Sequence, residues 1–372
     1  MASVWSRLAQ LPDPRTGNAR RHKLLDVLTI ALVASICDAE SCVDFADFVR
    51  DREALFRDFL ELPGGLPSHD TFSRVFRLLE PAAFARCLES FLDDLGADGA
   101  GVVAIDGKTL RRSYDRAAGR SALHVVSAFA AGARIAIGQL AAADKESEIT
   151  AARTPLGLFD LNGVLVTGDA LHCQGETARL ITERGGNWLF TLKANRPVQH
   201  TEVRDWFADP KNKPRGAFTT TNADNGGRIE VRRHVVSHDV NWMLSDRRHP
   251  DEATMPGLAM IGMVEATTTR AGTTTTIRRY YLSSVAMEAP AFAAVVRSHW
   301  RIENSLHWLL DVTCDEDRAR NRCDHGPENL AILRKLALNV LRKARPDISI
   351  RRKRKRSGWS DDFARTILGQ MR

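Results

Sequence analysis

Short apolar runs alternate with helical stretches in the middle of the chain, and this alternation restricts the fold more than any other feature. Three runs come first, Val102–Ile105, Leu123–Phe129 and Ile135–Leu140, and a turn-like Ala-Ala-Gly-Ala segment between the last two predicts a hairpin. A helical stretch, a run at Val164–Thr167, a second helical stretch and a run at Trp188–Leu192 follow. This order predicts an α/β fold, a mixed sheet with flanking helices in which strands one and four lie side by side.

Two aspartates stand where these strands end. Asp106 directly follows the first run, and Asp169 follows the fourth after Gly168, with the helices Glu148–Leu158 and Glu176–Glu183 on either side of that strand. Strand ends that open at the same edge of a sheet form a crevice, and carboxylate oxygens are ligands that Mg²⁺ prefers. A single Asp at a strand end is more often a turn residue. The pair is therefore a candidate metal site, whereas either residue alone would not be.

A third acid, Glu303, lies in the C-terminal part of the chain. Pro290 begins a predicted helix with an apolar stripe, and Glu303 lies at the edge of this stripe in line with His299 and His307. Most glutamates on helices are simply solvated. Asp311, in an acidic cluster just after this helix, is the substitute candidate if Glu303 is dispensable.

The first hundred residues predict helices. His22–Ile36 and Val43–Leu60 carry apolar residues at helical spacing, and Ser68 is placed to cap a short basic helix over His69–Leu79. A helix, a turn and a basic helix could enter a DNA major groove. The alternative is a unit for helical packing or dimerisation.

Between Asn195 and Leu282 the sequence becomes rich in Thr and β-branched residues, which predicts a β-rich insertion. The expected organisation is an all-α N-terminal DNA-binding or dimerisation domain (1–96), the first part of a candidate catalytic core (97–195), the insertion (196–283), the second part of this core with the helix that carries Glu303 (284–345) and a basic C-terminal tail (346–372).

Composition narrows the class of protein. The 372 residues contain six cysteines without a CxxC pair, which favours reduced thiols and argues against a zinc site. No apolar stretch approaches the roughly 18 residues of a membrane span, and the N-terminus has no signal-peptide hydrophobic region. We therefore expect a cytoplasmic protein without membrane contact.

The positive charge is concentrated near the C-terminus. Net charge is +7, yet the nine Lys or Arg and one Asp between Arg342 and Arg356 alone give +8. Six basic residues in a row, Arg351, Arg352, Lys353, Arg354, Lys355 and Arg356, suit contact with nucleic-acid phosphates. A solvated tail is the alternative.

Several motifs closely resemble the ISAs-type insertion-sequence transposases, also called H-repeat-associated proteins, of the DDE transposase superfamily. The similar segments run in order from Leu11–Arg15 to the predicted helix Asn329–Leu341 and comprise Ala104–Ser113, Lys145–Ile149, Thr167–Gln174, Thr191–Asn195 and His299–Trp308. Sister families carry Tyr, Arg and Lys around the catalytic Glu where this chain has Val296, His299 and Leu310, so their phosphate-contacting signature and hairpin intermediate are not carried over.

This resemblance implies a ribonuclease-H-like catalytic fold and Mg²⁺-dependent cleavage and strand transfer on double-stranded DNA. Asp106, Asp169 and Glu303 match the three catalytic acids; Asp106 would bridge two Mg²⁺ ions, for which Mn²⁺ could substitute, and each of the other two would complete one ion. A homodimer on DNA, in a bacterial, nucleoid-associated location, is expected. Candidate DNA contacts, besides the six C-terminal cations, are Lys108, Arg111, Arg112, Lys193, Asn195, His299 and Arg301.

Two other functions remain open at this point. One is a ribonuclease-H-like DNA nuclease that cuts without strand transfer, and the other is a non-catalytic DNA-binding remnant of an element. A strand-transfer assay separates the first from a transposase, and DNA binding without Mg²⁺-dependent nicking would indicate the second.

Overall fold

The structure is a computed structural model that describes residues 4–95, 101–116, 119–142, 149–153, 156, 161–223, 228–244 and 255–369. The chain divides into two compact units. The first unit comprises Met1–Ala97, Gly107–Ala151 and Ile302–Arg372, and the second comprises Asp98–Asp106 and Ala152–Arg301.

One mixed sheet contains nine strands in the order β3-β2-β1-β4-β5-β9-β8-β7-β6. The strands are β1 (Val102–Thr109), β2 (His124–Ala130), β3 (Ile135–Ala142), β4 (Leu165–Gly168), β5 (Asn187–Leu192), β6 (Gly216–Ala223), β7 (Ile229–Ser237), β8 (Met260–Arg270) and β9 (Thr273–Ser283). Strand β4 pairs in parallel with both β1 and β5, while β2–β3 and the pairs from β5 to β6 are antiparallel. The mixed sheet and the adjacency of strands one and four are confirmed.

In the second unit the Thr-rich strands continue the same sheet. Strand β9 pairs with β5, with Leu189 opposite Ser283, so β6 to β9 extend the sheet beyond β5. The half of β9 next to the core, Tyr280–Ser283, is buried, whereas Thr273–Arg278 is exposed. The β-rich character predicted for this region is therefore present, but its strands belong to the main sheet.

Helices cover both faces of this sheet in the second unit. They are α7 (Gly175–Glu183), α8 (Pro197–Ala208) and α9 (Ala289–His299). Phe292 of α9 packs so closely on one face that a Cβ at Gly262 would lie 2.6 Å from its ring. On the other face, His200 and Phe207 of α8 contact the ring of Tyr280. Residues 149–153 and 156 of the predicted helix Glu148–Leu158 are helical; the rest of it, and Lys145–Glu148 of the similar motif, lie outside the described residues.

The following helices belong to the first unit. They are α1 (Val4–Ala9), α2 (Leu24–Ile36), α3 (Cys42–Asp51), α4 (Glu53–Arg57), α5 (His69–Leu78), α6 (Pro81–Ala85), a 3₁₀ stretch (Arg86–Leu95), a π-helix (Ile302–His307), α10 (Trp308–Val312), α11 (Gly326–Lys343), α12 (Ile350–Trp359) and α13 (Asp361–Gly369). Ser68 caps α5 as predicted, because its hydroxyl accepts a hydrogen bond from the Thr71 amide. The predicted helix Val43–Leu60 is divided at Arg52 into α3 and α4.

Helix α11 is the centre of the first unit and is buried along nearly its whole length. Asn329 donates hydrogen bonds of 2.8 Å to the carbonyls of Phe76 and Leu79, and Asn339 exchanges two with the backbone of Ala136 in β3. These side chains connect the N-terminal helices and an edge strand of the sheet to one helix. Buried polar groups are tolerated here because they are paired.

The C-terminal segment, predicted as a basic tail, forms two packed helices. Ser349 caps α12, and Phe363, Ile367 and Leu368 of α13 are buried. The apolar spacing of α13 provides the buried face that a free tail would lack. Within the described residues, no helix is long and apolar enough to span a membrane.

The end of β4 is closely packed at Gly168, which leaves no room for a side chain. A Cβ at this position would lie 2.9 Å from the Cβ of His172 and 3.2 Å from the ring of Phe190. We expect Gly168→Ala to lower the free energy of unfolding by about 1–3 kcal/mol through overpacking, measured by urea denaturation. Gly132→Ala is the control, because no atom lies within 4 Å of its added Cβ. Equal stability of the two variants would contradict this prediction.

Candidate active site

The two aspartates of the second unit directly follow the paired section of two parallel strands. Ile105 of β1 is opposite Gly168 of β4, and Asp106 and Asp169 are the next residues along the chain. Both are partly exposed, whereas Ala104, Ile105 and Thr167 before them are buried. The pairing therefore brings two carboxylates to one edge of the sheet, as the strand order predicted.

The loop after Asp169 is held by hydrogen bonds. The Asp169 carboxylate accepts one from the Leu171 amide at 2.8 Å, and the Asn195 side chain donates one to the Ala170 carbonyl at 2.7 Å. Arg196 donates to the Cys173 carbonyl at 2.5 Å and to the Gln174 side chain at 2.7 Å. Asn195 and Arg196 thus fix this loop. Sequence reasoning missed Arg196, although its place just after the Leu192 strand end was a usable signal.

Two histidines lie beside the aspartates in the second unit. The Nδ1 of His299 and the hydroxyl of Thr167 form a 3.0 Å hydrogen bond. Burial lowers the pKa of His299 to about 4, the Asp169 charge opposes this shift and His172 adds to it. The imidazole is therefore neutral at pH 7. His172 is wholly buried, which favours a structural role over direct contact with a substrate.

Three of the residues predicted to contact DNA lie at different depths in this unit. Lys193, directly after β5, is exposed; Asn195 is exposed but holds the loop described above; Arg301 is partly exposed. The contact of Lys193 with DNA stays a prediction, and its side chain is accessible to solvent. For His299, one ring nitrogen is already committed to Thr167.

Glu303 lies in the first unit on the π-helix, and its side chain is exposed. Ile302 and Leu306 on the same turn are buried and anchor it. The continuous helix predicted from Pro290 onwards is interrupted, because α9 ends at His299 and the wider π-turn begins at Ile302. Single π-turns are rare and occur frequently at functional sites.

Lys108, predicted to contact DNA, is enclosed by acids of the first unit. Its ammonium group contacts Asp311, lies 2.8 Å from Glu316 and lies 3.9 Å from Asp317. The side chain of Lys108 is 13% exposed and that of Glu316 is 1% exposed. Burial raises the pKa of Asp311, while its hydrogen bond with Lys108 opposes that shift. These contacts tie the end of β1 to the segment that follows Glu303.

The neighbouring arginines are more accessible. Arg111 is 78% exposed and lies 3.3 Å from Asp317, and Arg112 is also exposed. The basic run on α12 is divided in the same way: Arg351, Arg352, Lys355 and Arg356 are exposed, whereas Lys353 and Arg354 are buried. Lys353 donates to the Leu341 and Ala344 carbonyls, and Arg354 donates to the Ser35 carbonyl and pairs with Asp38.

The donor set at the sheet edge fits a hard divalent cation. Asp106 and Asp169 offer carboxylate oxygens, and Mg²⁺ is usually held by one or two carboxylates together with waters and substrate phosphates. Among the residues that the structure describes, no group of three or more His, Cys, Asp or Glu side chains is close enough together to form a metal cage. A pair of carboxylates suits an ion whose other ligands are waters and substrate phosphates.

Two protein-family models match the chain. A family described as "Transposase DDE domain" matches residues 97–340, and one described as "DDE_Tnp_1-associated" matches residues 5–92. The chain belongs to the DDE transposase family. The resemblance to the H-repeat-associated proteins is confirmed, as is the ribonuclease-H-like catalytic fold. DNA is the substrate class that the family implies, and its members generally use a divalent metal.

Two of three similar proteins align with nearly the whole chain. The H repeat-associated protein YhhI of Escherichia coli K12 is 31% identical over 371 residues, which is 99% of this chain and 98% of YhhI. YncI of E. coli O157:H7 is 31% identical over 98% of this chain and 94% of its own length. An uncharacterized Xanthobacter autotrophicus protein is 38% identical over 74% of this chain and 92% of its own length.

Lys108 and Arg111 form a matched pair for testing the charge cluster of this DDE transposase. Lys108→Met leaves the buried Glu316 without its nearest cation, so we expect a loss of about 3 kcal/mol in the free energy of unfolding. Arg111→Met removes an exposed partner of the same cluster and should cost no more than about 0.5 kcal/mol. Urea denaturation of both variants measures the difference. Similar small losses would show that the Lys108 cluster is not structural.

His307 gives the protein a predictable response to acid. Burial lowers its pKa from 6.5 to about 3, and the charges of Lys335 and Lys108 contribute. The unfolded chain therefore binds this proton first, and stability should fall as pH falls from about 6.5 towards 3. His307→Gln should flatten the fall by up to about 1.4 kcal/mol per pH unit, measured by urea unfolding between pH 4 and 7. Above pH 7 the free energies of unfolding of the wild type and of His307→Gln should depend on pH in the same way. The same pH dependence of both proteins below pH 6 would contradict the assignment of the acid response to His307.

Proposed function

We propose that this DDE transposase cleaves the ends of its own insertion sequence and joins them to target DNA, with Asp106, Asp169 and Glu303 as the catalytic carboxylates and Mg²⁺ as the metal. The observation that carries the proposal is the parallel register of Ile105 with Gly168, which makes Asp106 and Asp169 neighbours at one sheet edge. Glu303 is assigned by its motif and by its exposed position on a π-turn.

The residues around the two aspartates would have separate roles in metal binding and in positioning. Asp106 and Asp169 would hold the cation through their carboxylates, and the Leu171 amide and the Asn195 side chain keep the Asp169 loop in place. A pair of Mg²⁺ ions, when bound, would activate the attacking oxygen and stabilise the leaving oxygen of an in-line displacement. Mn²⁺ has the same preference for oxygen ligands and is expected to substitute. The neutral imidazole of His299 supports Thr167 without adding a charge that would compete with the cation.

Contact with the DNA backbone is proposed for cations that the structure leaves exposed. These are Lys193, Arg111, Arg112 and the four outward residues of α12, Arg351, Arg352, Lys355 and Arg356. Lys108, Lys353 and Arg354 have protein partners, and we propose that they support these surfaces from within. Because two element ends must be handled, we further propose that the protein acts as a homodimer on DNA.

The central prediction concerns the two aspartates. On duplex DNA from the flanks of the gene, in Mg²⁺, Asp106→Asn and Asp169→Asn should each lower the rate of end cleavage by at least about 100-fold, because each removes a charge that stabilises the reacting groups. Asp239→Asn is the matched control, an exposed Asp shortly after the end of β7. Duplex binding in EDTA, measured by fluorescence anisotropy, should persist in all three. Mg²⁺-dependent cleavage by either active-site variant at the wild-type rate would refute the assignment.

A second assay separates the proposal from its alternatives. A pre-cleaved element end incubated with a plasmid target and Mg²⁺ should give joined products, and Glu303→Gln should abolish both cleavage and joining. Cleavage without joining would favour a nuclease. Binding without cleavage by the wild type would favour a non-catalytic remnant.

A further inference from the structure

A small depression on one face of the second-unit sheet is lined by three arginines. Arg232 comes from β7, Arg279 from β9 and Arg297 from the last turn of α9. Val264 and Val296 supply apolar lining, and Trp300 adds an aromatic ring. We call this set the arginine depression. None of the three arginines belongs to the catalytic residues or to the cations proposed above.

Strand register places these arginines on the face covered by α9. His234 is opposite Val264, which is opposite Arg279, and Arg232 is opposite Ala266. Residues opposite each other or two apart on a strand share a face, so Arg232, His234 and Arg279 point to the same side. His234 also contacts the ring of Phe292 on α9. Two rigid strands and a helix terminus therefore direct three guanidinium groups to one place.

Among the described residues that line the depression, three are arginines and none is acidic. Arg232 lies 2.6 Å from Glu230, but the same carboxylate also lies 3.1 Å from Arg228. Arg279 has its guanidinium carbon 5.7 Å from the centre of the Trp300 ring. Burial lowers the pKa of His234, and the charges of Arg232 and Arg297 lower it further. Like charges held together favour binding of an anion, which offsets their repulsion.

The same face continues outward along an exposed part of the sheet. Beyond Arg279, the β9 residues Ile277, Thr275 and Thr273 share this face, and Thr273 is opposite Arg270 of β8. Residues Thr273–Arg278 are exposed. Hydroxyl and guanidinium groups are the types that contact phosphate oxygens, and arginine forks match a phosphate in a bidentate manner. The chemistry fits an extended polyanion better than a compact one.

We propose that the arginine depression binds a backbone phosphate of duplex DNA, and that the exposed face of β8 and β9 follows the same strand. The inference rests on the proposed function only in that DNA is the substrate. It adds to the proposed function a DNA-binding surface outside the catalytic residues, made by Arg232, Arg279 and Arg297.

The sharpest test compares the two faces of the same strands. One full-length variant carries Arg232→Gln, Arg279→Gln and Arg297→Gln. The control carries Arg233→Gln and Arg278→Gln, which lie on the opposite face of β7 and β9, and Arg204→Gln on α8, which covers that opposite face. Both variants lose three positive charges. Binding to duplex in EDTA is followed by anisotropy over a range of salt concentrations.

We expect the depression variant to reduce the slope of log affinity against log salt by about 2–3, because each phosphate that a cation neutralises contributes about 0.9 to this slope. The control should change it by less than about one unit. Arg-to-Lys replacement of the same three residues should keep most of the slope but lower affinity, because charge remains and the planar fork is absent. If the triple variant fails to fold by circular dichroism, Arg297→Gln alone should reduce the slope by about 0.9.

Other outcomes would overturn the inference in distinguishable ways. An equal change in both triple variants would show a general charge effect, and no change in either would remove the depression from the DNA surface. Stabilisation by inorganic phosphate over chloride at matched ionic strength, abolished in the depression variant while its salt slope stays at the wild-type value, would indicate a small-anion site. Wild-type protein that binds no duplex would contradict the proposed function itself, whereas failure of the Asp106→Asn cleavage test would leave this inference standing.

Discussion

The parallel pairing of β1 with β4 is the interaction on which the rest of the site depends. Val103, Ala104 and Ile105 are buried against the buried Val166 and Thr167, and the first polar residues beyond this apolar section are Asp106 and Asp169. A slip of one residue would turn every side chain of a strand to the other face. Hydrophobic burial thus sets the register, and the register sets the neighbourhood of the two carboxylates. Two carboxylates that follow adjacent parallel strands are the arrangement that the proposed cation site requires.

The strand order and the candidate aspartates could be predicted because both depend on local signals. Apolar runs of strand length, the turn before β3 and the Ser68 cap are read within a few residues, and the adjacency of strands one and four follows from the order of the elements. Contacts between distant segments could not be predicted. Lys108 donates a hydrogen bond to Glu316, and Arg354 donates one to the Ser35 carbonyl, although each pair is separated by more than half of the chain. The sequence around either cation contains no signal that identifies its partner. The π-turn at Glu303 was hidden for a different reason, because its apolar spacing resembles that of an ordinary helix.

The N-terminal helices are an integral part of the first unit because they pack on helix α11. This helix carries buried polar residues towards both neighbours: Asn329 binds carbonyls at the end of α5, and Lys335 donates to Gln139 of β3 at 2.6 Å. Burial lowers the pKa of Lys335 to about 8, so this contact has an electrostatic cost that only good pairing can offset. On α5 itself, Phe72, Val75 and Phe76 are buried and Arg77 pairs with Asp324 at 2.7 Å. These contacts are typical of a packing helix, which is the alternative that the sequence had left open for this region.

The distribution of charge shows why a count of basic residues is a poor guide to a DNA surface. The six consecutive cations of α12 look equivalent in sequence, yet helical periodicity turns Lys353 and Arg354 inward, where backbone carbonyls and Asp38 receive them. By contrast, Arg232, Arg279 and Arg297 are scattered in sequence and meet only because two strands and a helix end converge. Counterion release depends on cations that can approach phosphate, and these are the ones that rigid elements hold at the surface. On the DNA surfaces proposed above, affinity would therefore depend on which cations the sheet and the helices leave exposed, and not on the local density of Lys and Arg in the sequence.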